Sequence, residues 1–267
     1  MYPILLKIGP LTIHTYGFFM ALGVAAGLWF VYVQGKKAGF DPNQLIDAAF
    51  WIILVSLIGA KLFLLFGHFS FYIHNPSELI SLARSGGVFQ GGLTFGVIFA
   101  ILYFKKKRIP LWPVSDLIAP AIALGHGFGR LGCFSAGCCY GRTCSLPWGT
   151  VFKNTYAHEL TGIPLNVPLH PVQLYEAVLN FLNFLVLLAI YKKKKFNGQV
   201  FCFYIMNYSV IRFFTEYFRG DHDVSTYLIL GESALTSLSL SQLYCLIGLA
   251  VGLALYLILK QRKNDQV

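Results

Sequence analysis

Apolar residues along the chain gather into seven long runs, at about 15–34, 45–66, 87–104, 113–133, 172–191, 198–218 and 240–259. Each comes near the roughly 20 residues that a helix needs to cross a bilayer core about 30 Å thick. The pattern predicts an all-α polytopic membrane protein of seven transmembrane helices, read as one domain over residues 1–267. The first run does not read as a cleavable signal peptide: no basic start precedes it and no small-residue cleavage site follows it. No internal repeat of the kind that marks many transporters is visible. Composition narrows the picture further. With 56% hydrophobic and 12% charged residues, few charges remain to cover a water-facing surface. A soluble enzyme, a disordered tail and a disulfide-stapled mini-domain are excluded.

The net charge of +10 does not point to nucleic acid, because the 21 Lys and Arg residues sit in short clusters between the apolar runs. Lys36 and Lys37 follow the first run, Lys105 to Arg108 the third, Lys192 to Lys195 the fifth, and Lys260, Arg262 and Lys263 the seventh. The alternate side holds only Lys7, Arg84, Arg142, Lys153 and Arg219. Cytoplasmic loops are the basic ones. The N-terminus is therefore expected outside and the C-terminus in the cytoplasm, with external loops near 67–86, 134–171 and 219–239.

Three basic residues remain inside the runs: Lys61, Arg130 and Arg212. A charge at membrane depth costs a few kcal/mol or more, so it faces a protein interior or a wet cavity. For Lys61 a structural ion pair is the competing reading. Tyr208, Arg212, Glu216 and Arg219 recur at helical spacing and fall within about 80° of one another on one face. Arginine grips phosphate oxygens with two parallel N–H groups, so such a stripe suits an anionic head group. A salt-bridged helix contact would use Glu216 with one arginine and leave the other without a partner. On the fifth run, after His170-Pro171, a second stripe carries Gln173, Glu176, Asn180 and Asn183. Interhelical hydrogen bonding accounts for the two asparagines; Glu176 is assigned to the cavity.

The fourth run ends in Gly125-His126-Gly127-Phe128-Gly129-Arg130-Leu131-Gly132. Its glycines let helices approach and leave backbone N–H groups open to a lipid head group. His126 lies one turn before Arg130, on the same side. Gly86-Gly87 and Gln90-Gly91-Gly92 on the third run, and Tyr16-Gly17 on the first, are further places where backbone could meet a ligand. Four of the six cysteines crowd together as Cys133, Cys138, Cys139 and Cys144. A disulfide on the oxidising exterior leads the readings. A zinc site fits the spacing poorly, a redox catalyst lacks Cys-x-x-Cys, and packing thiols are the fourth reading.

On these residues the chain resembles the prolipoprotein diacylglyceryl transferase family, through all seven runs. The family's glycine-rich signature appears as Gly129-Arg130-Leu131-Gly132-Cys133-Phe134, continuing to Gly137 and Gly141. His170-Pro171-Val172-Gln173-Leu174-Tyr175-Glu176 and the Tyr208, Arg212, Glu216, Arg219 pattern match as well, as do Gly59 to Leu62 and Ser239-Leu240-Ser241-Gln242. The resemblance implies transfer of the diacylglyceryl group of phosphatidylglycerol to the lipobox cysteine thiol of a prolipoprotein signal peptide, releasing glycerol phosphate. It implies the bacterial inner membrane, an active site toward the outer face, membrane lipid as a partner, and no cofactor or metal. Arg130 and Arg212 stand at its essential arginines. Tyr16, Gly91, Gly92, Gly129, His170, Gln173, Tyr175, Glu176, Tyr208, Glu216 and Arg219 are the expected substrate contacts.

This chain departs from the well-studied members in two places. Gln90 replaces a histidine, and neutral glutamine can orient a substrate but cannot act as a base. Cys133, Ala136 and Cys138 replace Asn, Asn and Glu, which resembles a variant branch with a Cys-Cys-Tyr-Gly signature. His126 and His170 are the candidate replacements for the proton acceptor, and His126 is preferred for its spacing to Arg130. Rival readings are a channel or heptahelical receptor, a membrane thiol oxidoreductase, and a relative with a changed acceptor.

Overall fold

The computed structural model describes residues 2–9, 11–78, 87–221, 227–229 and 238–264. Arg84 and Gly86, both singled out above, lie outside the described residues, as do parts of the expected 67–86 and 219–239 loops. A long helix stands over each of the seven apolar runs: α1 Thr15–Lys37, α2 Pro42–Gly67, α4 Phe89–Lys106, α5 Leu111–Ala136, α7 Val172–Lys193, α8 Gln199–Glu216 and α9 Leu240–Asn264. Two short helices, α3 Phe69–His74 and α6 Thr155–Thr161, lie between them. Among these, α1, α2, α5, α7 and α9 are long and apolar enough to cross a membrane. Helix α4 ends in Lys105 and Lys106, and α8 carries Gln199, Asn207, Arg212 and Glu216, which lowers the apolar character of both.

The expectation of an all-α chain needs one correction. Among the described residues there are three antiparallel two-stranded ribbons: β1 Ile4–Ile8 with β2 Leu11–His14, β3 Thr150–Val151 with β4 Pro168–Leu169, and β5 Tyr227–Ile229 with β6 Leu238–Ser239. They fall where the chain leaves the apolar runs, in segments too short for a periodic pattern to reveal.

The chain forms two compact units, Val31–Val114 and Met1–Phe30 with Ser115–Val267. In the smaller unit α2 packs on α4 through small residues. A Cβ at Gly91 would run into Phe63 and the carbonyl of Gly59, and one at Gly92 would sit 3.1 Å from the Ser56 carbonyl. This seam corrects the reading of Gly91 and Gly92 as open backbone. They face α2, where only a missing side chain lets the two backbones approach. Gln90 is exposed in the first turn of α4, and its carbonyl accepts a hydrogen bond from Thr94 Oγ1 at 2.8 Å. Lys61 is half-buried on α2.

In the larger unit the usual placement of residues is inverted. Asp116, Gln173, Glu176, Asn180, Glu216 and Gln242 are buried, while Val178, Leu182, Leu185 and Leu253 are more than half exposed. A lipid surround explains this, since apolar side chains lose nothing by facing hydrocarbon and polar ones must find partners inside. Ala119 and Ala123 of α5, Leu187 of α7 and Val200 of α8 form the core between those helices. Outside them a second cluster of Phe152, Ala157, Ile163 and Leu169 holds the segment between α5 and α7. The expected interhelical bonding is present for Asn183, whose Oδ1 on α7 accepts from Asn207 Nδ2 of α8 at 2.9 Å, whereas Asn180 Nδ2 donates within its own helix to the Glu176 carbonyl at 2.8 Å.

Asp116 pins the start of α8. Gly198 caps that helix in a left-handed conformation and supplies no side chain. The fully buried Asp116 carboxylate of α5 instead accepts from the backbone N–H groups of Gly198 (2.8 Å), Val200 (2.8 Å) and Phe201 (3.1 Å), and from Lys194 Nζ at 3.0 Å. It thus satisfies donors that every helix N-terminus leaves open. Asp116→Ala is expected to lower stability by about 3–5 kcal/mol, as removal of one partner from a buried charged network does. Thermal unfolding of the detergent-solubilised protein, compared with a Lys194→Ala variant that should cost less, checks this.

Candidate active site

Helices α5, α7 and α8 each bring one charged residue to a common point. Arg130 Nε lies 2.6 Å from Glu176 Oε2, and Arg212 Nη1 lies 3.6 Å from Glu176 Oε1. Arg212 Nη1 also meets Glu216 Oε2 at 2.6 Å, one turn along its own helix. The sequence explains the meeting. Arg212 and Glu216 share a face at a spacing of four residues, and the first turns of α7 place Glu176 opposite the last turns of α5 and α8. The two carboxylates are 2% and 3% exposed, against 14% and 13% for the arginine side chains, so the acids are the more deeply buried partners. Arg130 spends Nε on Glu176, which leaves its Nη groups directed elsewhere.

The carboxylates are themselves held. Thr215 Oγ1 donates to Glu176 Oε1 at 3.3 Å, and Ser239 Oγ donates to Glu216 Oε1 at 2.8 Å. Ser239 also caps α9: its Oγ accepts from Gln242 N–H at 3.1 Å, and Gln242 Oε1 accepts from Ser239 N–H at 3.0 Å. This reciprocal cap accounts for the Ser-x-x-Gln segment in physical terms. One turn before both arginines, the rings of His126 and Tyr208 stack at 4.8 Å with only 8° between their planes. The buried His126 Nδ1 has no hydrogen-bond partner among the described residues.

Around this centre the other expected residues take distinct places. Tyr16, in the first turn of α1, lies against Gly132, and Gly129 faces Met20 Sδ, 3.5 Å from where a Cβ would stand. Gln173 is buried and donates from Nε2 to the Cys138 carbonyl at 2.8 Å, so its amide fixes a turn. Tyr175 Oη accepts from Trp148 Nε1 at 2.8 Å and lies 3.3 Å from His170 Nδ1. Tyr175, His170, Trp148, Leu179, Phe214 and Thr215 line a largely apolar cavity of about 480 Å³. Thr215 therefore touches both the cavity and the Glu176 carboxylate.

Arg219 stands apart from the other two arginines. It binds Asp221 through Nε (2.9 Å) and Nη2 (2.6 Å). This corrects the inference that the second arginine of the stripe lacks a partner: the carboxylate lies two residues on, beyond the helix, where helical spacing does not look. The Arg219 backbone pairs with Gly141, and both line a second cavity of about 400 Å³ with Tyr140 and Arg142. A Cβ at Gly141 would collide with the His170 carbonyl, so glycine is required there for the backbones to meet.

The expected disulfide is also corrected. All six cysteines are free thiols, and Cys144 is buried away from the others. The sulfurs of Cys133, Cys138 and Cys139 lie within 4.8 Å of one another instead. The Cys139 thiol is drawn well below the usual thiol range, first by hydrogen bonds from Cys133 and Cys138 and then, against burial, by Arg219 and Arg130.

Sequence reasoning missed Asp116, Trp148, Thr215 and Asp221. Of these, Asp221 could have been found by looking two residues past Arg219; the rest act through tertiary contact alone.

The fold and the charged centre define a multi-pass helical membrane protein that holds two arginines on one buried carboxylate. The chain belongs to the prolipoprotein diacylglyceryl transferase family, which it matches over residues 3–258. It is 34% identical over 264 residues to the phosphatidylglycerol–prolipoprotein diacylglyceryl transferase of Clostridium tetani, covering 99% of this chain and all of that one. The transferase 2 of Clostridium perfringens is 31% identical over 95% of this chain and 94% of its own. That of Nostoc sp. is 29% identical over 94% and 87%.

Glu176→Gln removes the charge that both arginines share. A loss of about 3 kcal/mol is expected from two buried guanidinium groups left facing each other. Thermal unfolding in detergent reads it, and Asn180→Ala, one turn away with no charge, should change far less.

Proposed function

We propose that this chain transfers the diacylglyceryl group of phosphatidylglycerol to the lipobox cysteine thiol of prolipoproteins, the reaction that its curated relatives are named for. It does so as a single domain of seven transmembrane helices in the bacterial cytoplasmic membrane. The N-terminus is outside, the C-terminus is cytoplasmic and the active site faces outward. The alternation of basic clusters supports that orientation.

The observation that carries the reading is the meeting of Arg130 and Arg212 on Glu176 beside an apolar cavity. The thiol sulfur attacks the glycerol carbon, a C–S bond forms, and the C–O bond to phosphate breaks with its electron pair leaving on the phosphate. Negative charge grows on that oxygen, and preorganised cations aimed at it lower the barrier. The guanidinium groups of Arg130 and Arg212 fill this role. The cavity floored by Tyr175, Leu179 and Phe214 suits an acyl chain, and Thr215 connects it to the charged centre. Gln173, His170 and Glu216 tie the surrounding segments, Tyr208 stacks on His126, and Tyr16, Gly129 and Arg219 are carried over as substrate contacts from the family resemblance. Gly91 and Gly92 form the α2–α4 seam, and Gln90, standing where the well-studied members carry a histidine, orients the substrate. The thiol proton goes to His126, whose unpartnered Nδ1 supports that assignment.

Purified protein incubated with phosphatidylglycerol vesicles and a lipobox peptide should yield a peptide heavier by one diacylglyceryl group in mass spectrometry. Arg130→Ala and Arg212→Ala should each lower turnover by roughly 10²–10³, the usual loss when one transition-state donor is removed. Full activity in either variant would sink the phosphate role. Unchanged turnover in His126→Ala would remove it as proton acceptor, and its loss in Gln90→Ala with Gln90→His retained would support the orienting role.

A further inference from the structure

The transfer just described makes no use of the three clustered thiols. Cys133 belongs to the last turn of α5, while Cys138 and Cys139 sit in the turn that follows. All three are part-buried, with their sulfurs within reach of a common point. The turn is built to aim them. Gly137 reverses the chain at φ 83°, and Cys139 holds φ 58°, a left-handed conformation that costs a non-glycine residue about 1 kcal/mol or more. Three hydrogen bonds tie the turn just before Cys139: Gly137 N–H to the Cys133 carbonyl at 2.9 Å, Thr161 Oγ1 to the Gly137 carbonyl at 3.1 Å, and Gln173 Nε2 to the Cys138 carbonyl at 2.8 Å. Backbone strain fixed by this many ties argues for a task performed by the side chain.

We propose that Cys133, Cys138 and Cys139 bind Zn²⁺ as three thiolates, with the fourth coordination position open to the acceptor thiol of the proposed transfer. The second half of this inference rests on that transferase reading. Zinc–thiolate bonds of about 2.3 Å place tetrahedral sulfurs roughly 3.8 Å apart, so this trio closes by an ångström at most. Three protein ligands with one vacant position is the arrangement of catalytic zinc, whereas structural sites are filled by four. Cys144 is buried and is not among the three thiols that converge.

The charges balance. Three thiolates and Zn²⁺ carry one net negative charge, rising to two when a fourth thiolate joins. Arg130 lies one turn before Cys133 on the same helix side, and the Arg219 backbone pairs with Gly141, two residues past Cys139. Loading the site releases three thiol protons to water. Coordination holds a thiol in its deprotonated form, so the acceptor thiol sheds its own proton to His126 as it takes the fourth position. Its sulfur then forms the C–S bond while the C–O bond to phosphate breaks.

Cobalt(II) reports such a site by its colour. The reduced, detergent-solubilised protein is titrated with Co²⁺, without any transfer reaction. One Co²⁺ per chain is expected, with thiolate-to-metal charge-transfer bands and tetrahedral visible bands, both lost on adding one equivalent of Zn²⁺. Cys133→Ser and Cys139→Ser should lose most of the charge-transfer intensity, and Cys144→Ser should keep it. Adding lipobox peptide should intensify and shift the bands, while a peptide with serine at the lipobox position should not. Absence of saturable uptake by the wild-type chain overturns the site, a readout that does not depend on the variants folding. Uptake unchanged in Cys139→Ser overturns it as well, and bands indifferent to the peptide thiol overturn the acceptor position. A protein that transfers diacylglyceryl but takes up no Co²⁺ sinks this inference alone; one that takes up Co²⁺ but transfers nothing sinks the reaction.

Discussion

Two guanidinium groups brought together below a membrane surface repel each other, by about 3 kcal/mol at 5 Å and an effective dielectric of 20. Glu176 makes their meeting possible by offering one oxygen to Arg130 and the other to Arg212. Three helices are tied at that carboxylate, and the helix cap of a fourth reaches the same network through Ser239 and Glu216. Much of the larger unit follows from this one anion. Its helices carry polar residues inward because the carboxylates and guanidinium groups need partners, and they present leucines outward because nothing else remains to face lipid.

A shared acid also sets what the site can do. Arg130 lies 2.6 Å and Arg212 3.6 Å from Glu176, and Arg212 has a closer carboxylate in Glu216, at 2.6 Å. The two guanidinium charges are thus offset by two carboxylates, and the proposed grip on a phosphate would draw on the donors those carboxylates leave unused.

The broad architecture was legible because lipid imposes length and polarity on every crossing segment, and all seven apolar runs are helices. Arg130, Arg212, Glu176 and Glu216 were legible because an ionisable group inside such a run has few harmless explanations. What could not be read were contacts that join distant segments. The position of Gly91 against Phe63 reverses the meaning of a glycine pair, and only the folded α2–α4 seam reveals it. Asp221 lies off the helix, so angular arithmetic passes over it. The convergence of Cys133, Cys138 and Cys139 within 4.8 Å was not legible either, because a linear spacing rule cannot anticipate a turn with Cys139 in the left-handed region.

Asp116 and Glu176 hold α8 at opposite ends, and this makes the helix a lever. From Val200, where Asp116 grips the backbone, to Arg212 is twelve residues, or about 18 Å at 1.5 Å per residue. A tilt of three degrees about that pivot moves the guanidinium group by about 1 Å, a displacement large enough to disturb a reacting geometry. The alignment of Arg212 is thus set by a backbone grip near the other end of its helix, about 18 Å from the charged centre.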